Sequence, residues 1–109
     1  MQRFKKYIGK DFILGKVRSS EALRLSGFTC DSLPDAIGDF DELEFVSDLN
    51  GQALLMCVAV LTGKVKRIMF VVSNTDEPDD VRPLSEAELK AFLDRWGNQI
   101  ANFFEDVTQ

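Results

Sequence analysis

The sequence predicts an α+β fold, a three-stranded antiparallel meander with a long amphipathic C-terminal helix on one face and a mixed or helical N-terminal segment. Two observations carry this. Residues 43 to 73 contain three strand-like runs divided by Asn50-Gly51 and Thr62-Gly63, and residues 86 to 105 repeat apolar side chains at helical spacing. A chain of 109 residues with 45% hydrophobic and 28% charged side chains suits one domain with its own core, since a chain of this size buries roughly 65% of its unfolded surface. Wholesale disorder is excluded.

The N-terminal segment is the least regular. Gly9 and Gly15 interrupt any helical pattern, and Asp11 to Leu14 reads as a short edge strand. Ser19 or Ser20 followed by Glu21 to Leu25 reads as a short helix ending at Gly27. The strands follow at about 43–48, 52–60 and 64–73. Asn50-Gly51 suits a type I′ turn, because both central residues of that turn need positive φ. Thr62-Gly63 marks the second turn, read most simply as a three-residue loop from Leu61 with Gly63 left-handed.

Register follows from the loops. A two-residue first loop sets Phe45 opposite Met56 and Leu43 opposite Val58, while a three-residue second loop sets Phe70 opposite Leu54 and Ile68 opposite Met56. One face then carries Leu43, Phe45, Leu54, Met56, Val58, Val60, Ile68, Phe70 and Val72, which the helix is expected to cover. The other carries Glu44, Val46, Asp48, Ala53, Leu55, Cys57, Ala59, Val65, Arg67, Met69 and Val71, too apolar to stand open to water. Its expected cover is the N-terminal segment, through Phe4, Tyr7, Ile8, Phe12, Ile13, Leu14 and Val17; the alternative is a second subunit or a partner.

Ser73 to Pro83, rich in acids and turn formers, reads as a linker. The helix at about 86–105 opens with a capping box, Ser85 and Glu88, flanked by Leu84 and Leu89 at the positions of a hydrophobic staple. Its apolar stripe runs Leu89, Phe92, Leu93, Trp96, Ile100, Phe103, Phe104 and Val107. Gly97 interrupts it at a cost of about 1 kcal/mol relative to Ala, so a bend or a closely passing backbone is expected there.

Composition narrows function. The chain has no His, which removes the commonest neutral-pH base and metal ligand, and catalysis is disfavoured. Cys57 sits in the apolar run ALLMCVAVL, and neither it nor Cys30 has a neighbouring Lys or His to lower its pKa. Both are expected as thiols without a disulfide. Asp39, Asp41 and Glu44 depart from the EF-hand pattern at the fifth and sixth positions, and Gly9 to Lys16 has the wrong spacing for a phosphate loop. No metal or cofactor is expected. The longest apolar stretch is far short of a membrane span and the first residues carry no signal-like run, so a cytoplasmic location is the expectation.

Charge is segregated. The formal net charge of −5 resolves into +5 over residues 1–24, −7 over 25–63, +3 over 64–73 and −6 over 74–109. The 39 residues from 25 to 63 contain no Lys or Arg. Their carboxylates form a negative field suited to a basic protein partner, and the expected binding residues are Asp35, Asp39, Asp41, Glu42, Glu44 and Asp48. The basic N-terminus, with Phe4, Tyr7 and Phe12 interleaved, has the composition of a nucleic-acid surface, but the larger acidic blocks argue against that partner. The function expected is therefore a non-enzymatic interaction module of the inhibitor, immunity or chaperone-like kind. Two alternatives are a small apolar-ligand domain with a pocket lined by Phe45, Met56, Phe70, Phe92 and Trp96, and a homodimeric structural protein.

Overall fold

Short polar caps and apolar alternation divide the chain much as the sequence implies, with one element added. The computed structural model describes residues 2–30, 33–49, 52–74 and 77–109. Two 3-10 turns, Gln2–Tyr7 and Leu14–Lys16, precede α1, Glu21–Ser26. Four strands follow, β1 Phe40–Leu49, β2 Gln52–Leu61, β3 Lys64–Asn74 and β4 Glu77–Pro83, and α2 spans Glu86–Val107. The sheet is antiparallel in the order β1-β2-β3-β4. A meander of three strands is thus corrected to four. The stretch read as a linker pairs with β3 instead, Val72 opposite Arg82 and Ser73 opposite Val81. Its prolines and acids suit an edge strand, where a missing amide and charged side chains deter further pairing.

The helix ends follow from local chemistry. The Ser20 hydroxyl accepts from the Leu23 amide and Gly27 closes α1 at φ 82°, a backbone region that favours glycine. On α2 the capping box forms in full, with the Glu88 amide donating to Ser85 Oγ and the Ser85 amide to Glu88 Oε1. Gly97 is buried because the Arg3 guanidinium lies on it. A Cβ there would meet Arg3 Nη1 at 2.5 Å, and Arg3 also donates to Asn98 Oδ1. The close neighbour is a side chain, where a bend or a backbone was expected.

Pairing of β1 with β2 matches expectation, Phe45 opposite Met56 and Leu43 opposite Val58; the Asn50-Gly51 turn itself lies outside the described residues. The second register differs by two residues. Leu61 pairs with Lys64 around a two-residue turn in which Thr62 (φ 50°) and Gly63 (φ 81°) are both left-handed. An uncorrected turn of that kind would have put the wrong side chains inside. A bulge between Ala59 and Val60 leaves Lys66 as the extra residue on β3, so Ile68 pairs with Val58 and Phe70 with Met56. The bulge restores the inward set because strand side chains alternate with a period of two. The two-residue turn itself sets Val65 opposite Val60 and so moves it from the face expected for it into the core.

That core is one layer thick. Phe45 meets Phe103 edge-on at 5.2 Å, Phe70 meets Phe92 at 5.6 Å, and Phe28 meets Phe92 at 5.9 Å. The N-terminal segment joins the same layer, with Phe4 at 5.9 Å from Phe70 and Tyr7 stacked on Phe104 at 5.4 Å. Every buried apolar side chain of residues 2–30 and of α2 belongs to this cluster. The expected N-terminal cover of the second sheet face is therefore wrong. The segment is held on the helix side by backbone bonds from Gly9 to Val65, Phe12 to Gly63 and Ile13 to Val107, and by mutual bonds between Asp11 and Gln109.

Among the described residues, no helix is long and apolar enough to cross a membrane. Phe103→Ala, at a fully buried site, is expected to cost about 3–5 kcal/mol. Met69→Ala, on the opposite face, is expected to cost under about 1 kcal/mol. Urea unfolding followed by Trp96 fluorescence measures both; equal costs would contradict a one-sided core.

Candidate functional site

The site is the sheet face that α2 does not touch. Alternation along β1 points Phe40, Glu42, Glu44, Val46 and Asp48 outward, opposite Leu61, Ala59, Cys57, Leu55 and Ala53 of β2. On β3 the same rows continue with Lys64, Arg67, Met69, Val71 and Ser73, and β4 adds Val81 and Pro83. Six large apolar side chains are exposed among the described residues, and four lie here: Phe40 at 51%, Val81 at 48%, Leu61 at 40% and Met69 at 37%. Cys57, Ala59 and Val71 are buried, yet outside the core cluster. Glu42 and Arg67 reach across the small Ala59 to within 3.6 Å of each other. Lys66 places its ammonium 6.0 Å from the Phe40 ring.

Strand geometry divides the six predicted carboxylates. Glu42, Glu44 and Asp48 form one row at the β1 border of the open face. Asp41 alternates to the other side, where Oδ2 accepts from the Gly38 amide at 2.7 Å and shapes the entry to β1. Asp39 is exposed just before the strand, its carbonyl accepting from the Thr62 amide, and Asp35 is exposed farther upstream. The fold assembles three of the six into one surface. The apolar centre beside them was visible in the alternation, but its exposure depended on where the N-terminus packs.

Charge elsewhere is partly used internally. Lys64 pairs with Asp11 at 2.7 Å, Lys6 with Glu105 at 3.6 Å, and Arg24 with Glu21. Phe4, Tyr7 and Phe12 are buried, so none of the interleaved N-terminal rings is available for stacking on a base. The buried Tyr7 hydroxyl donates to Glu105 Oε1 at 2.8 Å, and burial together with that carboxylate raises its pKa. Among the described residues no cluster of His, Cys, Asp or Glu has the arrangement of a metal site.

Cys30 and Cys57 are not joined by a disulfide. Burial, then Glu44 and Glu42, push the Cys57 thiol up to about 11, far from a reactive thiolate at neutral pH. The proposed ligand pocket also changes place. Phe45, Met56 and Phe70 are packed into the core, whereas Phe92 and Trp96 line a cleft nearer the start of α2.

In comparisons with known proteins, no family model, no curated protein and no solved structure matches the chain. The geometry of the site carries the functional argument alone.

Two outcomes test these assignments. In the native chain Cys57 is expected to react with iodoacetamide at pH 7.5 far more slowly than in urea, with a rate that climbs steadily towards pH 11. Peptide mass spectrometry resolves the site, and a fast native reaction at pH 7.5 contradicts the assignment. The second concerns Glu88, which Arg82 and the Ser85 cap hold down to about 2 from an ordinary 4.5. A depressed carboxyl stabilises the fold fully above its unfolded pKa and loses that contribution as pH falls through the folded value. Urea midpoints of the wild type are thus expected to approach those of Glu88→Gln between pH 4.5 and 2; a constant gap would contradict this.

Proposed function

We propose that this chain is a non-enzymatic interaction module that receives a basic protein partner on the open face of its sheet. The observation that supports the reading best is the row Glu42, Glu44 and Asp48 standing beside an apolar strip that no element among the described residues covers. Apolar surface at the centre of an interface supplies affinity, and bordering charge supplies steering and register. In this reading Leu55, Met69 and Phe40 make the apolar contact. Glu44 and Asp48 meet the partner's cations, while Glu42 shares Arg67 with its own sheet. The protein acts by occupying the partner's surface, as an inhibitor, immunity protein or dedicated chaperone does, in the cytoplasm.

The test is capture from the native host on immobilised protein. A basic protein enriched by the wild type is expected to be lost with the triple variant Glu42→Gln, Glu44→Gln, Asp48→Asn and kept with Asp35→Asn, Asp39→Asn. The wild-type affinity is expected to fall with added salt more steeply than that of the triple variant. Unchanged affinity in the triple variant would remove the β1 row from the account.

A second reading has one specific observation in its favour. Carboxylates border β2 on the β1 side, and Lys64 and Arg67 border it on the β3 side. A twofold axis parallel to the strands would lay each border over its opposite in a second copy, the self-complementarity that an isologous dimer requires. Light scattering separates the readings, because a chain that stays monomeric at micromolar concentration leaves only the heterologous partner.

A further inference from the structure

The two halves of α2 are sealed differently. Its second half buries Gly97, Ile100, Phe103, Phe104 and Val107, whereas in its first half only Phe92 is buried. The reason is at the ends of the sheet. The N-terminal segment and Thr108-Gln109 close the end near Thr62-Gly63, and no comparable strap among the described residues closes the other. A cleft of about 270 Å³ opens there, its apolar walls formed by Leu54, Val72, Leu84, Ala91, Phe92 and Trp96. A second, of about 490 Å³, shares Leu54, Phe92, Arg95 and Trp96 and runs towards α1, where Leu25 is 49% exposed. Small-ligand sites typically measure ~300–1,000 Å³.

Charge at the mouth is selective. The first cleft has two charged residues on its lining, Glu88 and Arg95. Glu88 is committed, since both its oxygens accept from Arg82, at 2.8 and 3.0 Å, and one also takes the Ser85 amide. Arg95 lies 4.9 Å from the centre of the Trp96 ring, and among the described residues it makes no ion pair. Of the charged residues lining the second cleft, Arg24 is held by Glu21, whereas Asp48 and Arg95 make no ion pair among the described residues. An apolar slot with one uncommitted guanidinium over it complements a molecule that is apolar along its length and anionic at one end. Guanidinium and carboxylate match in planar, bidentate geometry.

We propose that this cleft binds a small apolar carboxylic acid, its hydrocarbon part between Leu54, Leu84 and Phe92 and its carboxylate on Arg95. The first cleft lies on the helix side of the sheet and shares no lining residue with the open face, while Asp48 of the β1 row stands on the adjoining second cleft. Trp96, the single tryptophan, reports on it directly.

The experiment titrates the full chain with octanoate and with octanamide, following Trp96 emission and, for the variants, calorimetric heat. Octanoate is expected to give a saturable change and octanamide binding about tenfold weaker, the order of one charged hydrogen bond. Arg95→Gln is expected to weaken octanoate about tenfold and leave octanamide unchanged. Ala91→Trp, at an exposed position on the cleft wall, is expected to abolish both, with far-ultraviolet circular dichroism confirming that each variant folds. Absence of saturable octanoate binding to the wild type overturns the proposal. So does octanamide binding as tightly as octanoate, or Arg95→Gln binding octanoate like the wild type.

Discussion

A single aromatic layer, clamped between one face of the sheet and α2, determines where everything else in this molecule stands. Phe45, Phe70, Phe92, Phe103 and Phe104 interlock at centroid separations of 5.2 to 5.6 Å along that seam, and each ring so buried contributes about 1.5–3 kcal/mol. The N-terminal segment had a choice of faces in principle. Its Phe4 and Tyr7 find ring partners only on the helix side, at Phe70 and Phe104, and the backbone bonds of residues 9–13 to Gly63, Val65 and the C-terminus fix it there. Among the described residues, one side of the sheet therefore receives every covering element and the other receives none.

Two surfaces result from this economy. On the open face, the sheet shelters its smallest apolar residues with its own larger ones: the Glu42–Arg67 pair spans Ala59, and Glu44 and Met69 flank Cys57. The larger apolar side chains, Phe40, Leu61, Met69 and Val81, have no such shelter. On the covered face, the strap formed by both chain ends closes one end of the seam only, and the far end stays ajar between Leu54, Leu84 and Trp96. Exposed apolar surface beside ordered charge is what recognition sites share. The open face and the cleft each combine the two, with opposite signs of charge.

Much of this could be read in the sequence because it depends on short-range rules. The capping box at Ser85 and Glu88, the stripe of α2, and the split of β1 to β3 residues between two faces all follow from spacings of two, three or four residues. What escaped depended on longer range or on compensation. Pro78, Pro83 and the acids between them look like a linker because nothing local shows that β3 offers an unpaired edge. The Thr62-Gly63 turn was legible, but its two-residue length and the bulge at Lys66 were not, and the two effects cancel in face while shifting register by two. Gly97 announced a close neighbour, but no local pattern identifies Arg3, far away in sequence, as that neighbour. The acidic run was legible along the chain, while strand alternation, which sends Asp41 inward to Gly38 and Glu42 outward to Arg67, decided which carboxylates stand together.

The claim that the sheet is covered on one side only can be tested with two methyl groups. Met56 lies under α2 with no exposed surface, and Met69 lies on the open face at 37% exposure. In a chain labelled with carbon-13 at its methionine methyls, a soluble gadolinium chelate measures how closely solvent approaches each. Strong relaxation enhancement at Met69 with Met56 spared is the predicted result. Equal protection of both methyls in the isolated monomer would show that something covers the second face, and would contradict the account.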